Sequence, residues 1–129
     1  MFAFGLLSLV LVPLAAWWYA RKHTPRHTWI LTGFALGLVI EPFSEGLWAA
    51  SFYVPPLGFF TVGPAVASTL FHGTLGLEIA VWLGIVPPKA DLAGLSIVRL
   101  VSGVIWAVVY GILGFIVDWV RAARSWRIS

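Results

Sequence analysis

The chain has 129 residues, 60% of them hydrophobic and only 10% charged, with a net charge of +3. Soluble domains carry roughly 25% charged residues, so a water-soluble fold could not hide this much apolar surface, and the bilayer is the expected solvent. The absence of cysteine excludes disulfides, thiolate nucleophiles, iron–sulfur clusters and Cys-ligated zinc. The basic residues lie in short clusters beside apolar segments, as headgroup anchors do, so the charge is no sign of nucleic-acid binding. These features predict an all-α, polytopic integral membrane protein. The expected architecture is a single membrane domain over 1–129, folded as a compact bundle of four transmembrane helices. Its expected location is the membrane, multi-pass, with lipid as its first partner.

The first apolar segment covers 2–20. No positive charge precedes it, and Trp17, Trp18 and Tyr19 stand where a signal peptide would have small residues. It reads as a retained span kinked at Pro13 and ending in an interfacial aromatic belt. The RKHTPRH stretch, 21–27, reads as a basic loop whose His23 and His27 are solvated. Trp29 then marks the same membrane face.

The second span is expected over 28–52. At 100° per residue, Gly33, Gly37, Glu41, Ser44, Glu45 and Trp48 fall on one stripe of it. Two acids four residues apart on an apolar helix persist only if they face protein, water or an ion. Pro42 removes one helix hydrogen bond, leaves the Leu38 carbonyl without its usual donor, and places a kink beside Glu41.

YVPPLG, 53–58, reads as a turn because Pro55 and Pro56 stop a helix, and a third span is expected over 58–86. Thr61, Ala65, Ser68, His72 and Gly76 share one of its faces, and Gly73 and Gly76 thin it for close packing. PPKAD, 87–91, reads as a second tight turn. The fourth span, 92–120, carries a stripe of Ser96, Arg99, Gly103, Ala107, Tyr110, Gly114 and Asp118. The tail RAARSWRIS reads as a short amphipathic anchor. Four spans would place both termini on one side, with loops inside and termini outside. The basic residues, four in the loops (Arg21, Lys22, Arg26, Lys89) and three at the end (Arg121, Arg124, Arg127), barely choose between orientations.

A rise of about 1.5 Å per residue converts position into depth. Glu41 and His72 then fall at the same level near the midplane, with Glu45 about 6 Å further toward the YVPPLG turn. Glu78 and Arg99 match in depth on adjacent helices, which predicts a structural ion pair between them. Glu41, Glu45 and His72, with Tyr110 nearby, remain as the candidate ligand- or ion-binding cluster. A carboxylic acid in apolar surroundings can exchange a proton with an imidazole. Two carboxylates and an imidazole are also three metal ligands, without a clear fourth. The acids could equally be neutral and hydrogen-bonded to Ser44, Tyr110 or a neighbouring subunit. Only His72 lies within a span and Met1 is the sole methionine, which argues against a bis-His haem in one chain. No HExxH, phosphate loop or nucleophile–base pair appears, and no cofactor is indicated.

Three functions follow as expectations. The first is a small membrane protein that handles protons, cations or a small ligand at the Glu/His cluster, as a homo-oligomer or with other membrane subunits. The second is an intramembrane enzyme acting on a lipid or isoprenoid. In it Glu41 or Glu45 would be the general acid, with the other carboxylate or Tyr110 stabilising charge. The third is a structural or assembly subunit whose polar stripes dock onto partner helices.

Overall fold

In the computed structural model, which describes residues 2–85 and 92–128, the described chain is helical almost throughout. Helix α1 spans Phe2–His23, α2 Thr28–Tyr53, α3 Pro55–Ser68, α4 Thr74–Trp82 and α5 Leu92–Ile128. Four stretches are long and apolar enough to cross a membrane: Ala3–His23, Pro25–Tyr53, Pro55–Trp82 and Ile97–Arg127. The third comprises α3 and α4, joined through a π-helical turn at Thr69–Gly73. The expected PPKAD turn, and the side chain of Ser96, lie outside what is described.

The connections are tighter than the sequence suggests. Only Thr24 and a single 3₁₀ turn, Pro25–His27, separate α1 from α2, so most of the RKHTPRH stretch is helical. Val54 alone separates α2 from α3: Pro55 and Pro56 stop α2, as expected, by holding Val54 out of the helical region, and they also begin α3. A proline in the first turn has no intrahelical amide to lose, and its fixed φ suits the helix. Beyond Trp82, helix α4 is closed off by Gly84, with φ +71, where the Ile85 amide bonds to the Ala80 carbonyl and the Gly84 amide to that of Val81. This paired arrangement needs a left-handed residue, which glycine supplies without strain.

The interior is small-sided and the exterior large. Six of the eleven apolar side chains buried among the described residues are alanines, beside Val39, Ile40, Leu47, Val98 and Trp106, whereas Phe59 is 88% exposed, Trp82 84% and Leu100 72%. A soluble protein would bury the large side chains first. Small residues inside and bulky apolar ones outside are how helices pack when the surroundings are themselves apolar.

Helices α1, α2 and α5 alternate in direction. Gly5 packs against Pro42 and Gly46, while Trp17 and Arg21 lie by Thr28, Trp29 and Arg121 at the other end. Along the α2–α5 seam, Gly33 meets Tyr110, Gly37 meets Trp106 and Ala107, and Gly114 meets Trp29. The third apolar unit fits this frame differently. Its α3 arm runs antiparallel to α2, with Thr61 bonded to Ser51 and Ser68 to Ser44. Its α4 arm runs antiparallel to α5, with Gly76 against Ser102 and Ala80 against Val98. Since α2 and α5 are themselves antiparallel, one straight helix cannot oppose both. The unit therefore lies oblique to the pair, with the π turn as its deepest point and both arms toward the end where α2 finishes. This corrects the expectation that both termini share a side. The end of α5 comes to the end of the molecule that holds the 24–27 turn, opposite the start of α1.

Candidate functional site

Three elements meet around the π turn. Helix α2 supplies Glu41, just before Pro42; the turn supplies His72; and α5 supplies Ser102, Trp106 and Tyr110. The Ser102 hydroxyl, 1% exposed, lies 2.8 Å from Glu41 Oε1 and 3.2 Å from the His72 carbonyl, and can donate to either. The Trp106 indole N–H donates to that same carbonyl at 2.9 Å. The His72 ring reaches along α5, where Nε2 is 2.9 Å from the Tyr110 hydroxyl. Its Nδ1 is buried beside the Ser68 backbone, short of full hydrogen-bond geometry. Trp106 meets the imidazole nearly edge-on, with ring centroids 4.5 Å apart.

The local sequence explains this convergence. In the π turn the Thr74 amide reaches back five residues to the Thr69 carbonyl. Such a turn redirects the side chains around it, and π turns recur at functional sites. Close approach on both sides of α5 depends on glycine. A methyl group at Gly37 would overlap the Trp106 carbonyl and the Ala107 backbone, and one at Gly76 would overlap the Ser102 side chain. Thus the residues that thin α2 and α4 set the distance across which Ser102 links Glu41 to the His72 backbone.

Glu45 leaves this cluster. Its carboxylate pairs with Arg99 of α5, and both side chains are roughly half-exposed, at 52% and 60%. The expected Glu78–Arg99 ion pair is therefore corrected to Glu45–Arg99. Gly76 and Ala80 turn toward α5, and Glu78, two residues from each, lies about 200° around the axis from Gly76 on the outer face. Ser44, one candidate partner of the acids, bonds instead to Ser68 and to the Ile40 carbonyl. Trp48 bonds to Thr69. No three of the His, Asp and Glu residues converge as metal ligands among the described residues.

Beside the cluster, a cleft of about 270 Å³ opens sideways between α2 and α5. Glu41, Glu45 and Arg99 line its polar part, and Leu38, Pro42, Leu100 and Val104 its apolar part. Gly103 lies on its wall, where an added methyl would meet nothing within 4 Å.

The sequence reading missed Ser102 and Trp106, which lie just off the polar stripe of α5. Their spacing held a signal, since Arg99, Ser102, Trp106 and Tyr110 follow one another by three or four residues. It also gave Asp118 no role. Asp118 Oδ2 accepts the amides of Trp29 and Ile30 at 2.9 and 3.0 Å, and so caps the start of α2 from α5. Set beside known proteins, the chain matches no family model, no curated protein and no solved structure.

Proposed function

We propose that this chain is a multi-pass membrane protein that binds and passes a proton or small cation at the Glu41–Ser102–His72–Tyr110 cluster. The observation that carries the reading is the placement of Glu41. Its carboxylate sits about 18 Å along α2 from Trp29, at 1.5 Å per residue, among apolar helices, held by a fully buried serine. An acid at that depth is expensive unless it serves a bound ion, a proton or a polar partner. The His72–Tyr110 pair adds groups that can accept and donate protons one helix away. The small-inside, large-outside packing supports membrane insertion. Alkaline carbonate extraction tests insertion, and infrared difference spectroscopy of the Glu41 carboxyl group, with Glu41→Gln as control, tests proton binding. A carboxyl band that does not respond to pH or to cations contradicts the proposal.

The sideways cleft favours a second reading, that of an apolar ligand such as a lipid or isoprenoid chain. Four of its eight lining residues are Leu, Pro or Val, and its polar part lies next to two carboxylates. A long-chain lipid that co-purifies with the wild-type protein, and is lost from Val104→Trp, would support that reading. The docking-subunit reading has less support. Much of the polar stripes is used within the chain, by Ser44, Ser51, Thr61, Ser68, His72, Tyr110 and Asp118.

A further inference from the structure

We propose that the end of the molecule formed by the 24–27 turn and the end of α5 is a docking surface for anionic phospholipid headgroups. The proposal rests on the membrane reading above. In sequence the basic residues divide almost evenly between loops and tail. The antiparallel pairing of α2 with α5 brings the two groups together. Six of the eight lysines and arginines (Arg21, Lys22, Arg26, Arg121, Arg124, Arg127) gather at this end. One acid, Asp118, also lines the larger cleft, where its Oδ2 accepts two α2 amides, so this end keeps six basic side chains against one neighbouring carboxylate.

Two clefts flank the arginine at the centre of this surface. One, of about 690 Å³, holds Arg26, His27, Arg121 and Ser125 between Phe115 and Trp119. The other, of about 390 Å³, holds Arg21 and Arg121 among Trp17, Trp29 and Val117. Arg121 and Pro25 line both. Arg21 also lies over the Trp17 ring, 5.1 Å from its centre, and Lys22 over Trp18 at 5.5 Å. Basic groups set among indoles and aliphatic side chains match a phosphodiester at the water–hydrocarbon boundary. A free phosphate ion would have no use for the apolar walls. Anionic lipid concentrates in the cytoplasmic leaflet, so the same charge distribution turns this end to the cytoplasm under the positive-inside rule.

The test is reconstitution into nanodiscs of phosphatidylcholine mixed with phosphatidylglycerol, followed by native mass spectrometry of the retained lipid. Phosphatidylglycerol should be enriched around the wild-type protein. Each of Arg26→Gln and Arg121→Gln should lower that enrichment about fivefold, with Arg121→Lys close to wild type, as expected near one surface charge. Equal enrichment in the Gln variants overturns the proposal. So does loss of enrichment to added inorganic phosphate, which would identify a soluble anion as the ligand. A protein that inserts into pure phosphatidylcholine yet shows no preference defeats the headgroup site alone. A protein that inserts into neither bilayer defeats the membrane reading and the site with it.

Discussion

Ser102 of α5 places its hydroxyl 2.8 Å from the Glu41 carboxylate of α2, at a position that is 1% exposed. The same hydroxyl is within reach of the His72 carbonyl, so one small side chain touches all three elements of the site. Ser102→Ala keeps the volume nearly unchanged and removes only the donor. It should cost about 1–3 kcal/mol, the range for leaving a buried polar partner unsatisfied. Denaturation in mild detergent would measure the loss, and Gly76 would tolerate the change without a clash.

Glycines in the seam and in the cleft should respond in opposite ways. Gly37→Ala drives a methyl into the α5 backbone, which can yield only by separating the helices. A loss of about 1–3 kcal/mol or more is expected, as for overpacked cores. Gly103→Ala points into open space and replaces a poor helix former. It should be neutral or stabilising by up to about 1 kcal/mol. Thermal unfolding of the two variants separates the cases.

The half-exposed Glu45–Arg99 pair should still show the asymmetry of an ion pair broken from one side. Arg99→Ala leaves the half-exposed Glu45 carboxylate without its partner, with a loss of up to about 1 kcal/mol. Replacing both partners with glutamine should be milder than the single change. A double mutant as unstable as Arg99→Ala, read from unfolding in detergent, contradicts the pairing.

Asp118 caps the first turn of α2 from a different helix, since His27, the local cap position, offers no side-chain hydrogen bond. Asp118→Ala should cost about 0.5–2 kcal/mol. It should also speed amide hydrogen exchange at Trp29 and Ile30 ahead of the rest of α2.

The helices were legible because apolar runs of this length have few other fates; of the stripe glycines, Gly33, Gly37 and Gly114 lie in the α2–α5 seam, whereas Gly103 meets nothing within 4 Å. Glu41 and the His72 backbone meet through Ser102, while the His72 ring turns to Tyr110 instead of to the acids. The errors came from features that periodicity does not carry. The π turn and the oblique third unit broke the assumption of four parallel axes, which moved the end of α5 to the opposite end of the molecule. The Glu78–Arg99 prediction matched depth but ignored the facing direction set by Gly76 and Ala80. Pro55 and Pro56 do stop α2, but the expected YVPPLG turn shrinks to Val54 because the first turn of a helix accepts proline. Ser102 escaped notice because a lone serine on an apolar helix carries no charge to attract attention.

Glu41 is the residue on which the proposed function turns, and proton flux into liposomes loaded with a pH-sensitive dye tests it most directly. Wild type, Glu41→Gln and the outer-face control Glu78→Gln would be compared after circular dichroism shows equal helicity. Flux in wild type and Glu78→Gln that is abolished in Glu41→Gln is the predicted result, with an imposed sodium or potassium gradient as the parallel assay for cations. Equal flux in a folded Glu41→Gln protein, or no flux of proton or cation in any of the three, would contradict the assignment.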